Sequence, residues 1–168
     1  MSDFLRPTYV EIRKSEDKRG CSFGISFENM LQPTEVFISK SHKNVIRGMH
    51  FQVKPNTQKK LIYVIEGSIL GVVIDMRCDN MSECEISRFS MNENDSRALY
   101  IPEGCAWGFK AEAAKNTILY AIQGNYDKKC ERGIKYDSFG FDWEIKPEDK
   151  IIINERDLEY PDLSDYIF

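Results

Sequence analysis

Short apolar segments dominate the hydrophobic pattern of this chain, and most are rich in β-branched or aromatic residues and bounded by turn residues. Segments of this kind at this spacing are typical of an all-β sandwich or barrel. We predict about ten strands, at residues 8–12, 21–27, 36–41, 45–51, 60–65, 68–76, 85–90, 98–101, 107–111 and 117–123. Helical periodicity is scarce, and only residues 155–160 favour a short helix. The pattern predicts an all-β chain that folds as a barrel or jelly roll.

Two neighbouring apolar segments allow a prediction of how their strands connect and how deeply one of them is buried. Residues 61–65 and 68–74 are separated by Glu66 and Gly67, which favours a β-hairpin through a tight glycine turn. The second segment is apolar almost throughout, so we expect this strand to be buried on both faces.

Composition and charge exclude several classes of protein. The chain has 168 residues without repeats or linkers, which predicts one domain over residues 1–168. Its net charge of -4 argues against binding to nucleic acid through a basic surface, and no apolar run approaches the roughly 18 residues of a membrane span. The five cysteines are scattered without a C-x-x-C motif, so neither a disulfide framework nor a zinc ribbon is expected. Reduced cysteines favour a cytoplasmic protein.

Two candidate catalytic residues lie ten positions apart. His50 follows Arg47, Gly48 and Met49; strand alternation would put Arg47 and Met49 on one face and His50 on the other, unless the glycine bends the strand. Taken alone, His50 is more often a core histidine than a catalytic one. Lys60 opens an apolar strand, where a lysine is typical of a protected sheet edge, although it could also stabilise a developing negative charge.

Further candidates lie in the second half of the chain. Trp107 and Phe109 share one face of a strand and fit either a core or a wall against a ring-shaped ligand. Tyr120 lies in an apolar strand, where its hydroxyl needs a partner. Residues 153–157 follow an apolar run and are mostly charged or polar, a pattern that by itself indicates a solvated surface.

The order of these motifs is more informative than any one of them. The segments RGMHFQ, KLIYVIEG, IPEGCAWGF, LYAIQGNY, ERGIKYDS and INERDLEYPDL follow one another with characteristic gaps. This arrangement resembles the dTDP-4-dehydrorhamnose 3,5-epimerase family from about Arg19 to Leu163. The resemblance implies a cupin-like jelly-roll barrel, usually a homodimer, that acts on nucleotide-linked 4-keto-6-deoxy sugars without a metal or an organic cofactor.

The resemblance also implies roles for individual residues. The family's catalytic histidine matches His50, its acid tyrosine matches Tyr120, and its lysine matches Lys60. The aspartate that orients the histidine matches Asp157. The remaining matches are substrate-binding positions, with a base-stacking tyrosine among them: Arg19, Arg47, Tyr126, Glu131 and Arg156.

Three departures from the family pattern concern substrate contacts. Trp107 replaces a substrate-binding histidine, Gly24 replaces a glutamate, and residues 35–37 replace a Gln-x-Asn segment. An indole cannot coordinate a metal, which argues against a cupin metal site. We therefore expect an epimerase of bacterial capsule or lipopolysaccharide sugars whose donor is dTDP-4-keto-6-deoxyglucose or a GDP- or CDP-linked hexose or heptose.

Other functions remain open at this point. A cupin-like sugar-binding module without activity would not need an acid–base pair. A metal-dependent cupin oxygenase or isomerase would need more ligands than two histidines supply. A keto-sugar isomerase of the same fold also proceeds through an enolate, so the sequence does not separate it from an epimerase.

Overall fold

The computed structural model describes residues 5–80 and 83–166, and its architecture is almost entirely β. The strands are β1 (Thr8–Glu11), β2 (Arg13–Asp17), β3 (Gly20–Gly24), β4 (Glu35–His42), β5 (Ile46–Gln52), β6 (Lys59–Glu66), β7 (Ser68–Asp75), β8 (Ile86–Asn92), β9 (Arg97–Ile101), β10 (Cys105–Ala111), β11 (Lys115–Gln123) and β12 (Glu131–Gly133). One helix, α1 (Glu155–Leu158), and a 3-10 turn (Leu163–Asp165) follow. The predicted all-β class and the short C-terminal helix are confirmed.

Two five-stranded antiparallel sheets form the body of the protein. The first has the order β1-β9-β6-β11-β4 and the second β12-β5-β10-β7-β8, while β2 and β3 form a separate hairpin. The sheets pack face to face, because one buried cluster contains Ile62 and Ile118 of the first sheet together with Val73 and Phe109 of the second. The described strands form two layers, and these do not join into one continuous hydrogen-bonded barrel.

Part of the outer face of each sheet is also covered. The C-terminal segment lays Trp143 and Leu163 against Val72 of the second sheet, and Met30 packs on Leu61 of the first. Strand β7 is therefore buried on both sides, with Val73 facing inward and Val72 outward. This confirms the prediction made from its nearly continuous apolar sequence.

The predicted hairpin between β6 and β7 is wrong. Strand β6 pairs with β9 and β11, whereas β7 pairs with β8 and β10 in the other sheet. Gly67 carries the chain from one layer to the other with a φ of 88°, and a Cβ there would lie 2.2 Å from the Lys115 carbonyl oxygen. A glycine between two apolar strands suits a crossover between sheets as well as a hairpin, so the local sequence did not distinguish them.

One pair of cysteines forms a disulfide, although the sequence indicated no disulfide framework. Cys78 and Cys84 are bonded across the loop between β7 and β8, where their Cα atoms lie 5.1 Å apart. The two cysteines are six residues apart, which is no recognised motif, so the sequence did not indicate the pair. Cytoplasmic localisation stays a prediction. In the described part of the chain, no helix has the length and apolar character that crossing a membrane requires.

Candidate active site

A cavity of about 480 Å³ lies between the two sheets. Its walls combine acidic, basic, aromatic and amide side chains, and they come from both layers. The lining residues are Glu35, Phe37, Ser39, Arg47, His50, Phe51, Gln52, Gln58, Lys60, Trp107, Phe109, Tyr120, Ile122, Tyr126 and Glu131. A concave site with a few polar groups in an apolar wall is typical of small-molecule binding.

A β-bulge in β5 brings Arg47 and His50 to the same cavity wall. His50 pairs with Trp107 and Arg47 with Phe109, so two residues of β5 oppose the single Gly108 of β10. Gly48 has a φ of 112°, and a Cβ there would lie 2.5 Å from the Gly108 Cα. Strict alternation would have placed Arg47 and His50 on opposite faces of the strand. The bulge at Gly48 interrupts the alternation, as the sequence allowed for a glycine at this position.

The imidazole of His50 is held by a buried carboxylate. His50 Nε2 lies 2.9 Å from Asp157 Oδ1, and the Gly48 N–H donates to Asp157 Oδ2 at 3.2 Å. Because an ionised carboxylate only accepts hydrogen bonds, Nε2 is the donor in this pair, and Nδ1 is the nitrogen left to act as a base. The bulge therefore contributes a backbone donor to the group that orients His50.

Helix α1 positions Asp157 against the sheet. Asn154 caps the helix, and its side chain accepts a hydrogen bond from the Arg156 N–H. Asp157 is only 3% exposed, so the expectation of a solvated surface for this segment is wrong at this residue. Burial alone would raise the pKa of the Asp157 carboxyl, but the hydrogen bonds from His50 and Gly48 hold the pKa below its ordinary value. The carboxyl is thus ionised at neutral pH.

Lys60 is a buried cation near the histidine. Strand β6 lies between β9 and β11, so the edge-strand interpretation of this lysine is wrong. Its Nζ donates a hydrogen bond to the His50 carbonyl oxygen at 3.3 Å. Burial lowers the pKa of Lys60 to about 8, although Cys105 and Glu131 partly offset this effect.

Tyr120 reaches the cavity from the sheet opposite His50. It lies on β11, is 7% exposed, and stacks on Phe37 with ring centroids 4.6 Å apart. Its hydroxyl oxygen accepts a hydrogen bond from the Trp107 Nε1–H at 3.3 Å. Burial raises the pKa of Tyr120 to about 12, so the phenol carries its proton at neutral pH.

An ionic network forms the rim of the cavity. Glu131 accepts hydrogen bonds from the Tyr126 hydroxyl at 2.9 Å and from Arg156 Nη1 at 3.2 Å. Arg47 donates to the Ser41 hydroxyl. Arg156 lies in an adjoining pocket of about 300 Å³ that also includes Arg47, His50 and Asp157. Two guanidinium groups therefore border the space next to the histidine.

Two of the positions compared with the family pattern lie away from this cavity. Arg19 is exposed in the β2–β3 turn, where it pairs with Asp17, and its binding role stays a prediction. Gly24 ends β3 beside the side chain of Arg13. By contrast, the altered segment before the RGxH motif contributes Glu35 and Phe37 to the cavity wall.

Tyr160 is a site residue that the sequence did not single out. Its ring packs edge-on against His50, with centroids 5.7 Å apart, and lies directly over Gly133. Tyr160 lies just beyond helix α1, which ends at Leu158 and is capped by Glu159. The segment INERDLEYPDL contains it, but no local pattern in the sequence gave it a role.

The arrangement of possible metal ligands bears on whether the cavity could hold an ion. Within residues 5–80 and 83–166, no three His, Cys, Asp or Glu side chains are grouped so that they could hold an ion. His50 is hydrogen-bonded to Asp157. The residue that pairs with His50 on strand β10 is Trp107, whose indole cannot bind a metal.

Fold and site together define a β-sandwich protein with acid–base side chains around a small-molecule cavity. The family model described as dTDP-4-dehydrorhamnose 3,5-epimerase matches residues 7–165. The chain belongs to this family of nucleotide-sugar epimerases.

Individual relatives agree with this assignment. A dTDP-4-dehydrorhamnose 3,5-epimerase of Methanothermobacter thermautotrophicus is 33% identical over 127 residues, which cover 74% of this chain and 68% of that protein. The Mycolicibacterium smegmatis enzyme is 29% identical over 76% of this chain, and the match spans only 62% of its length. The crystal structure of the Sulfolobus tokodaii enzyme superposes with a TM-score of 0.84 and 31% identity, covering 97% of this chain and 93% of that one.

Proposed function

We propose that this chain is a cofactor-independent epimerase that inverts C3, C5 or both in a nucleotide-linked 4-keto sugar. The observation that carries the proposal is the location of His50 and Tyr120 in one cavity but on different sheets. Inversion requires that a proton leave one face of the sugar and that another arrive on the opposite face. A base and an acid on opposing walls meet this requirement.

The proton transfers follow from the chemistry of a ketone. A C–H bond next to the carbonyl breaks as the free nitrogen of His50 takes the proton, and the electron pair delocalises onto the carbonyl oxygen as an enolate. Asp157 stabilises the imidazolium that results. The Tyr120 hydroxyl then protonates the carbon from the other face, and the ketone re-forms. The imidazolium releases its proton to solvent, and the phenolate takes one from solvent, so both groups return to their starting forms.

The remaining polar residues of the cavity stabilise the enolate or bind the nucleotide part of the substrate. Lys60 in its ammonium form stabilises the enolate oxygen, and burial strengthens this interaction because little water screens it. Arg47 and Arg156 bind the pyrophosphate through charge-assisted hydrogen bonds. Tyr126, which is 58% exposed at the rim, stacks on the nucleotide base, and Glu131 holds its hydroxyl and Arg156 in place.

The donor sugar belongs to bacterial surface-polysaccharide biosynthesis in this proposal. The names of the relatives favour dTDP-4-dehydro-6-deoxy sugars. Glu35, Phe37 and Trp107 give the cavity a wall unlike the family pattern, which supports testing GDP- and CDP-linked hexoses and heptoses as well.

Solvent exchange tests the function directly. The protein is incubated in D₂O with dTDP-, GDP- and CDP-linked 4-keto sugars, and deuterium at C3 and C5 is followed by NMR. We expect deuterium at each inverted centre with one class of donor. No exchange with any donor would contradict the proposal and favour an inactive sugar-binding module, whereas movement of the carbonyl to another carbon would indicate a keto-sugar isomerase.

The pH dependence tests the role of Lys60. A lysine with a lowered pKa loses its proton at lower pH than usual, so the ammonium form disappears as the pH rises through about 8. We expect kcat/KM to fall above this pH. Lys60→Met should lower kcat/KM at pH 7 by about 10²-fold and remove this alkaline decline. Lys59→Met, on the opposite face of the same strand, is the control, and an unchanged decline in Lys60→Met would contradict the role.

We also propose that the protein is a homodimer. The outer face of the first sheet exposes apolar side chains along its edge strand β4 and on β6: Val36 and Ile38 are each 56% exposed and Ile65 is 43% exposed. An exposed apolar row of this kind marks an interaction surface. Light scattering should give twice the chain mass, and Ile38→Lys should shift it toward the monomer; a monomeric native protein would contradict the proposal.

A further inference from the structure

The indole of Trp107 links the two walls of the cavity. Trp107 lies on β10 of the second sheet, is 4% exposed, and contacts Tyr120 on β11 of the first sheet. The link is the hydrogen bond from Trp107 Nε1 to the Tyr120 hydroxyl oxygen, 3.3 Å long. Tyr120, the proposed proton donor, therefore has a partner from the wall that carries His50.

The direction of this hydrogen bond is fixed by chemistry. An indole N–H donates and does not accept, so the Tyr120 oxygen must be the acceptor. The phenol proton is then not used by Trp107. Among the hydrogen bonds of the described residues, the Tyr120 hydroxyl donates none, and the proton remains available to a substrate in the cavity.

The same hydrogen bond acts on the phenolate that forms when the proton leaves. Phe37 fixes the plane of the tyrosine ring by stacking at an interplanar angle of 4°, and Trp107 fixes the position of its oxygen. A hydrogen bond to an ionised acceptor is about twice as strong as one to a neutral acceptor. The indole therefore stabilises the product of proton transfer more than the starting phenol, and it opposes the effect of burial on the pKa of Tyr120.

A glycine on the neighbouring strand makes room for the indole. A Cβ at Gly71 would lie 2.5 Å from Trp107 Cη2 and 2.7 Å from Trp107 Cζ3. The backbone of Gly71 is outside the left-handed region, so the space, and not the conformation, requires glycine here. Of the indole, only the outer ring makes this contact, and a smaller aromatic side chain would lack it. The Cβ would also lie 3.2 Å from the Phe89 carbonyl oxygen, a milder contact than the two with the indole.

We propose that Trp107 is a positioning residue that directs the Tyr120 proton toward the substrate and stabilises the phenolate, and that Gly71 provides the space for it. The proposal extends the proposed epimerase function, on which its catalytic part rests. Trp107 contributes to reprotonation and not to the proton removal by His50.

The first test needs no substrate. The chain has two tryptophans, so its ¹⁵N NMR spectrum contains two indole N–H signals, and Trp107→Phe assigns them. Tyr120→Phe removes only the acceptor oxygen. We expect it to shift the Trp107 signal and accelerate its solvent exchange, while Trp143, which donates to the Tyr136 carbonyl, stays unchanged. If Trp107→Phe failed to fold, Trp143→Phe would assign the two signals instead. An unmoved Trp107 signal in Tyr120→Phe would overturn the proposal in either case.

The second test separates the two proton transfers. Trp107→Phe should lower the rate of inversion by about 10- to 100-fold, the effect of losing one hydrogen bond to a charged group. Deuterium exchange at the same carbon should change less than about threefold. An unchanged ratio of exchange to inversion would overturn the proposal. If the native protein exchanged with no donor, the proposed function would fail, and the NMR test would still decide on the hydrogen bond.

A double-variant comparison tests the role of Gly71. Gly71→Ala should reduce inversion in the native protein because its methyl group displaces the indole. In a Trp107→Phe background the same change should have less than about a threefold effect, since the outer ring is already gone. Equal effects of Gly71→Ala in both backgrounds would contradict the assignment of Gly71.

Discussion

Replacing His50 by alanine is expected to lower both solvent exchange and inversion by at least about 10²–10⁴-fold. The variant removes the only nitrogen base that lines the cavity with an oriented lone pair among the described residues. Both readouts fall together, because deprotonation comes before every later step. Deuterium incorporation and product formation, measured in the same NMR time course, check this.

His42→Ala is the matched control for this variant. His42 is the other histidine of the chain, and it is exposed at the end of β4, outside the cavity. His42→Ala should leave the rates of solvent exchange and inversion unchanged. Thermal unfolding should show that the His42 and His50 variants are both folded. Turnover near the native rate in His50→Ala would remove His50 from the mechanism.

Tyr120→Phe is expected to lower inversion by about 10²–10⁴-fold while His50-dependent exchange at the same carbon continues. The phenylalanine keeps the stack on Phe37 but has no proton to deliver. The enolate is then reprotonated from the His50 side, which returns the original configuration with solvent deuterium. Exchange without inversion is therefore the signature of a missing acid.

Tyr63→Phe is the control for the loss of a buried phenol. Tyr63 lies on β6 but belongs to the cluster on the outer face of the first sheet. Tyr63→Phe should change neither the rate of solvent exchange nor the rate of inversion. If Tyr120→Phe inverted its substrate at the native rate, the proton donor would have to be another group.

The strand pattern was predictable because burial repeats along each segment. The long apolar run of β7 is buried on both faces, and Trp107 and Phe109 line one wall as their alternation predicts. Strands β2 and β12 were missed, since β2 is exposed at every position and β12 has only three residues. Such segments carry no alternation between apolar and polar residues.

Tertiary context decided the features that the sequence left open or predicted wrongly. The bulge at Gly48 depends on the close approach of Gly108, and the crossover at Gly67 on the backbone of Lys115. Lys60 and Asp157 look like surface residues locally, and both are buried because other segments cover them. The motif order indicated which residues to combine, while the bulge and helix α1 explain how they meet.

The structure of the protein with a bound nucleotide sugar tests the central claim most directly. The account predicts that the pyranose lies between the two walls, with the free nitrogen of His50 on one face of the inverted carbon and the Tyr120 hydroxyl on the other. A sugar bound outside the cavity, or one that both side chains approach from the same face, would contradict it.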